Sequence, residues 1–266
     1  MKPLEILLTN DDSYTARGIN VAAEFLRRYG NVTVVAPLEP QSGKSVSLTL
    51  RQPMYLDLLR EEPGLRFFTL TGTPADCVKM GVKLLSDEGK FPGLLVSGIN
   101  HGSNASSASL YSGTLGAAAE GTIYGIPSVG LSIDTHDPEA DFSGVLKYSE
   151  KIFDKILEHG FDRGVYLNVN FPDTAPENIA GIRFARQGRG RWIKEYEPYR
   201  DAEGRDCYIM VGEFLDLEPE AAPVSGAELP GDHKAVQQNY ITIVPHLIDS
   251  TDYREAERLR GLWQLD

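Results

Sequence analysis

Short apolar runs, each closed by polar or turn residues, recur along the first 135 residues and restrict the fold more than any other feature of the chain. They are LEILLT, NVTVVAP, GLLVSGIN and IPSVGLSI. Between them lie segments of helical period: one near Asn20–Tyr29, TPADCVKMGVKLLS, and the Ala-rich SGTLGAAAEGTIYG. In the second of these, Thr73 fits an N-cap, Pro74 fits the first helical position, and Val78, Val82 and Leu85 share a face. Strands apolar on both faces need cover on both sides, and their alternation with helices makes the sheet parallel. The expected fold is α/β, a doubly wound, mainly parallel Rossmann-like sheet. Such sheets bind ligands beyond the carboxyl ends of their strands, at a topological switch point.

PMYLDLL and RFFTLTG read as further strands, residues 143–160 as an amphipathic helix, and VYLNVNFP as a later strand. From Arg183 the texture changes. QGRGRWIKEYEPYRDAEGRDCYIMVGEF suggests a hairpin with an aromatic, mixed-charge face, and LEPEAAPVSGAELPG a loop. NYITIVPHLID returns to strand, and TDYREAERLRGLW reads as a short terminal helix. The expected division is a core at 1–180 carrying the site and a C-terminal extension at 181–266, a β-hairpin arm used in oligomerisation. Trp192, Tyr196, Tyr199, Tyr208 and Phe214 exceed what a core of that size needs. Leu259, Leu262, Trp263 and Leu265 give the terminal helix an apolar side.

The length of 266 residues suits one large α/β domain or a domain with an appendage. A net charge of −12, with no basic stripe, excludes sequence-independent binding to DNA. No apolar run approaches the roughly 20 residues of a membrane span, and the chain enters its first strand without a signal peptide. Cys77 and Cys207, the only two cysteines, form no CxxC and read as ordinary reduced thiols. A cytoplasmic location is expected.

The first strand ends in Asn10, Asp11 and Asp12. Adjacent carboxylates repel each other and are costly to desolvate, so a buried pair calls for a positive partner. Ser42 lies in the loop after the second strand and Asn100 ends GLLVSGIN. If these strand ends converge, they offer two carboxylates, a hydroxyl and an amide carbonyl, all hard oxygen donors suited to Mg²⁺, Mn²⁺ or Ca²⁺. Adjacent strand positions face opposite ways, so one Asp is expected to bind directly and the other after a bend or through water. The bland alternative for the pair is a helix cap or a solvated turn.

INHGSNASSASLYSGTLGAAAEG is dense in Gly, Ser and Asn just before a helix. Free backbone N–H groups there, with the hydroxyls of Ser112 and Thr114 and the amide of Asn104, make an anion site. Gly113 and its small neighbours let the helix approach the sheet. The alternative is a simple N-cap after a flexible loop. An anion site beside a divalent cation points to phosphoryl transfer to water.

ILLTNDDSYTARGI, VVAPLEPQSGKSVSLTL, TGTPADCV, LLVSGINHGSN, YSGTLGAAAEGTIYGIPSVGLS and LNVNFP together resemble the SurE family of survival-protein nucleotidases. The matches run in order from residue 6 to about 171 and resume at DHKAVQQNYITIVPHLIDST. The resemblance implies a metal-dependent phosphomonoesterase acting on nucleoside 5′- and 3′-monophosphates, with short polyphosphate as a further substrate. It places one Mg²⁺ or Mn²⁺ per subunit on Asp11, Asp12, Ser42 and Asn100. It places phosphate on Asn104, Ser112, Gly113 and Thr114, and self-association as a homodimer or homotetramer on C-terminal elements.

The chain departs from the family pattern at Ser13, where the family has Gly, and at ASSAS after Asn104, where it often has Gly and Asp. VPH replaces TPL, bringing in His246. His246 and His101 have no partner fixed by sequence and read as packing or surface residues before catalytic ones. Two rivals from other classes stand beside hydrolysis: a receiver-like phospho-signalling module, with Asp57 as phosphoacceptor, and a non-catalytic nucleotide-binding protein. The spacing DD rather than DxD disfavours a haloacid-dehalogenase phosphatase. Attack by water is expected, since both carboxylates are committed to the cation.

Overall fold

The structure, a computed structural model, describes residues 3–218 and 228–264. The elements run β1 (Leu4–Thr9), α1 (Arg17–Leu26), β2 (Gly30–Pro37), β3 (Leu56–Glu62), β4 (Leu65–Leu70), α2 (Pro74–Asp87), β5 (Leu94–His101), α3 (Ala108–Tyr111), α4 (Gly113–Ile123), β6 (Ser128–Ile133), α5 (Ser143–His159) and β7 (Val165–Phe171). There follow β8 (Gly181–Phe184), β9 (Gly190–Ile193), β10 (Tyr196–Arg200), β11 (Asp206–Met210), β12 (Glu213–Asp216), α6 (Asp232–Gln237), β13 (Tyr240–Leu247) and α7 (Tyr253–Trp263).

Nine strands form one sheet in the order β3-β4-β2-β1-β5-β6-β7-β13-β8. The central six, β4 through β7, are mutually parallel, as the doubly apolar runs require. At the flanks β3 runs antiparallel to β4 and β13 antiparallel to β7, and β8 pairs parallel with β13 at the far edge. From β1 the chain winds outward to β2 and β4; from β5 it winds the other way to β6 and β7. The switch point therefore lies between β1 and β5, the strands that end in Asp11–Asp12 and Asn100.

Helices cover both faces. On one, α1 and α5 bury Ile19, Phe25, Phe153 and Ile156 against Ile6, Val34 and Val96. On the other, Cys77, Val78 and Val82 of α2 and Ala117 of α4 pack on Leu7, Val35 and Leu95. Thr73 caps α2 through a reciprocal pair of bonds with Asp76, with Pro74 in the first turn, as the sequence indicates.

The region after residue 180 returns β13 and β8 to the main sheet. The single hairpin expected over 187–214 is instead two nested ribbons, β10–β11 within β9–β12. Lys194, at φ 52°, and Gly212, at φ 152°, interrupt what would otherwise be one continuous ladder. In α7 no described side chain is buried, and Leu262 and Trp263 are exposed. Leu265, expected on the same apolar side, and residues 219–227 of the Pro/Glu/Ala-rich loop lie outside the described residues. No helix among the described residues is long and apolar enough to cross a membrane.

Candidate active site

Asp11 lies two residues beyond the end of β1 and is 4% exposed. Burial, with the adjacent Asp12 charge adding to it, pushes its carboxyl up to about 6 even though hydrogen bonds from Thr114 pull the other way. Thr114 donates its hydroxyl to Asp11 Oδ1 at 2.5 Å. The hydroxyl that sequence reasoning assigns to an anion is thus turned onto Asp11, because a buried carboxylate needs donors more than an open loop does. Gly113 permits this approach: a Cβ there would lie 2.8 Å from Asp11 Cβ.

Asp12 is half-buried and faces the end of β5. Its Oδ2 accepts the His101 backbone N–H at 3.0 Å, with His101 Nδ1 3.5 Å away. The His101 ring stands edge-on to Phe142, 5.4 Å between centroids. Asn100 is buried, and its side-chain N–H donates to the Gly102 carbonyl at 2.6 Å, which leaves the amide oxygen as its free end. A register shift in the β5–β6 ladder between Ser97 and Asn100 re-aims this last stretch of β5.

Ser42 occupies an exposed turn, and the chain on either side of it is anchored. Gln41 donates its N–H to the Asp11 carbonyl at 2.7 Å, and Ser45 donates to the Tyr111 and Leu110 carbonyls just before α4. This contact depends on Gly116, where a Cβ would meet the Ser45 carbonyl oxygen at 2.0 Å. The loop bearing Ser42 is thereby held against both the end of β1 and the start of α4.

Ser112 caps α4, accepting the Leu115 N–H at 3.1 Å and keeping its own O–H to donate. Asn104 is buried and gives its side-chain amide to Ser132 Oγ at 2.8 Å, while its backbone N–H goes to Asn170 Oδ1 and its carbonyl accepts from Asn168. Asn104 therefore fixes the loop to the ends of β6 and β7 with one amide hydrogen to spare.

Sequence reasoning missed the groups that hold this loop from beneath. Asn168 and Asn170 alternate on β7 with apolar neighbours, a two-residue period placing both on one side; that was the available signal. Asp232, fully buried, accepts N–H groups from Ser106, Gly188 and His233 at 2.8–3.1 Å. It is the first residue of α6, and its one signal in the sequence is that the resemblance resumes at DHKAVQQNY, which it opens.

The other sequence candidates lie elsewhere. His246 pairs with Tyr166 near the amino end of β7, stacked on its ring at 5.2 Å, away from the carboxyl ends where Asp11 and Asn100 gather. Asp57 is exposed on the edge strand β3, not at the end of a central strand as a receiver's phosphoacceptor would need.

Among the described residues neither Asp11 nor Asp12 has a Lys or Arg partner, and no group of three or more His, Cys, Asp or Glu forms a metal cluster. A cation here would rest on the two carboxylates and neutral oxygens.

A family model described as Survival protein SurE matches residues 6–194. The chain is 40% identical over 265 residues to the 5′-nucleotidase SurE of Phocaeicola vulgatus, covering 100% of this chain and 98% of that one. It is 39% identical to the 5′-nucleotidase SurE of Bacteroides fragilis, over 99% of this chain and 98% of the other. The solved SurE protein of Aquifex aeolicus superposes with a TM-score of 0.79 at 35% identity, over 97% of this chain and 99% of that chain.

Proposed function

The chain belongs to the survival protein SurE family, and from that premise we propose that it is a metal-dependent nucleotidase, a phosphomonoesterase that hydrolyses nucleoside monophosphates to nucleoside and phosphate. One observation carries the reading beyond kinship: a buried carboxylate beside a second one, at the switch point of the sheet, with no Lys or Arg among the described residues to compensate either. Asp11, Asp12, Ser42 and Asn100 would hold one Mg²⁺ or Mn²⁺ per subunit, a hard-oxygen set that suits either ion. The bound cation supplies charge neutralisation and polarisation of the phosphoryl oxygens.

The protein's own groups do the rest. The Thr114 hydroxyl holds Asp11 and the His101 N–H holds Asp12; with both carboxylates committed to the cation, water is the attacking group. Ser112, through its O–H, and Gly113, at the first turn of α4, receive the phosphate, where helix N–H groups favour an anion. Asn104 keeps the loop in place and offers its remaining amide hydrogen. Both 5′- and 3′-monophosphates are substrates, with short polyphosphate as a further one.

The exposed aromatics of β10–β11 and the unburied α7 support assembly into a homodimer or homotetramer. Two free cysteines suit a reducing cytoplasm. A screen of phosphomonoesters with Mg²⁺, Mn²⁺ or chelator tests the proposal: metal-dependent phosphate release from nucleoside monophosphates supports it. Saturable nucleotide binding with no release would make the protein a binding module instead.

A further inference from the structure

A nucleoside departs as an alkoxide unless its oxygen is protonated, and an imidazole is the side chain best suited to do this near neutral pH. The chain has five histidines, and four are committed or remote. His101 packs on Phe142, and its backbone N–H and Nδ1 both face Asp12. His233 bonds Asp216, and His246 is stacked on Tyr166 near the amino end of β7. His159 ends α5 beside Glu158, ahead of that same amino end. His136 differs: it is exposed, follows the carboxyl end of β6, and its ring makes no hydrogen bond or ion pair among the described residues.

Gly102 seats this ring. A Cβ at Gly102, whose φ is 107°, would lie 2.5 Å from His136 Cε1 and 3.1 Å from its Nδ1, so the imidazole lies where only glycine leaves room. Gly102 is tied in turn to the site. Its carbonyl accepts the Asn100 side-chain N–H at 2.6 Å, and its own N–H donates to the Ile133 carbonyl at 2.9 Å. The Asp134 N–H, on the Phe171 carbonyl at 2.9 Å, anchors the loop bearing His136 to the end of β7. Ser103 and Ala105, on either side of Asn104, line a cavity of about 200 Å³ together with Asp134 and His136, so the imidazole and the phosphate loop face one open space. Desolvation raises the Asp134 carboxyl, and the His136 charge pulls it back, which puts the two within electrostatic reach.

We propose that His136 is the general acid of the reaction, the group that protonates the departing nucleoside oxygen; this rests on the nucleotidase reading and adds a catalytic residue to it. As the bond between phosphorus and the nucleoside oxygen breaks, its electron pair goes to that oxygen, which takes the imidazole N–H proton. The attacking water forms the new phosphorus–oxygen bond, keeps one proton on the phosphate product and gives the other to solvent. Solvent then reprotonates the imidazole.

Leaving-group dependence separates proton donation from packing. In His136→Gln, which keeps a polar side chain and loses the transferable proton, kcat for AMP should fall about 100-fold or more, the usual worth of a positioned acid. For p-nitrophenyl phosphate, whose leaving group needs no proton, kcat should change little. Across a series of substituted phenyl phosphates the loss should grow as the departing phenol becomes more basic. His136→Ala should give the same pattern with an unchanged melting curve. An equal loss on every ester, or no loss on AMP, overturns the general acid and leaves the nucleotidase reading standing. A parent that releases phosphate from phenyl phosphates but from no nucleotide overturns the nucleotidase reading, while the slope of the phenyl series still decides the role of His136.

Discussion

Thr114 Oγ1 lies 2.5 Å from Asp11 Oδ1, joining the first turn of α4 to the end of β1 across 103 residues of sequence. The bond sets the position of a carboxylate that burial alone would leave under-satisfied. Thr114→Val removes the donor and keeps the shape. Leaving a buried carboxylate without it costs about 1–3 kcal/mol of stability. Turnover should fall roughly 10- to 1000-fold, as for loss of one preorganised donor, and half-maximal activation should need more metal. Thr114→Ser should recover most of this. Metal titrations of phosphate release, with melting curves, provide the check.

Gly113 and Asp11 are in such close contact that a single methyl group probes them. Gly113→Ala would push a Cβ to 2.8 Å from Asp11 Cβ, so one of the two must move. Displacement of this order at a catalytic carboxylate lowers kcat by about 100-fold, while far-ultraviolet circular dichroism should stay that of the parent. Unchanged kcat would mean that Asp11 can shift without consequence.

Asp232 ties the C-terminal region to the loop of the active site. Asp232→Asn keeps the volume but sets an amide NH₂ against three backbone N–H donors. Charged hydrogen bonds of this kind are worth about 1.5–3 kcal/mol each, so a melting temperature lower by roughly 5–10 °C is expected. Hydrogen exchange should quicken at Ser106 and Gly188 before it does in β1 or β5. Uniform exchange would contradict a local clamp.

His233 gives stability a pH dependence at near-neutral values. Burial pulls its imidazole down, but the Asp232 carboxylate 3.7 Å from Nδ1 and the hydrogen bond to Asp216 outweigh this and leave it above its ordinary 6.5. Asp216 is held down at about 2: burial opposes this, and the Lys234 and Glu218 hydrogen bonds and His233 prevail. A raised histidine contributes stability fully below 6.5, and the contribution is lost as pH rises through the folded value. Unfolding in urea at a series of pH values should show that decline in the parent and a flatter profile in His233→Gln.

Much of the fold is legible in the sequence because its signals are local. The strands β1, β2, β5 and β6 are apolar on both faces, and Thr73 with Pro74 marks the start of α2. The first helix begins at Arg17 rather than near Asn20. The paired acids, Ser42 and Asn100 can be located because strand ends in a parallel sheet converge by topology. The orientation of Thr114 cannot be read, since it depends on an unmet carboxylate 103 residues earlier. Asp232 is equally hidden: an Asp in the first turn of a short helix reads as an ordinary helix-start acid, whereas its bonding partner Ser106 lies 126 residues away. The nested ribbons escape for a third reason, since alternating aromatic and charged residues look alike in one long hairpin and in two.

Assembly has its own test in α7, whose exposed Leu262 and Trp263 suit a neighbour's surface. Deleting residues 251–266 should shift the mass measured by light scattering toward monomer, with less effect on metal activation. A parent protein already monomeric at micromolar concentration contradicts this.

A divalent cation held by Asp11 and its neighbours is what the proposed phosphate-ester hydrolysis requires. Phosphate release from AMP, measured for the parent and for Asp11→Asn with Mg²⁺, with Mn²⁺ and in excess chelator, tests it most directly. Turnover in the parent should vanish with chelator and return with either metal, and a folded Asp11→Asn should show none under any condition. Full activity of the parent in excess chelator, or of Asp11→Asn with metal, would contradict it.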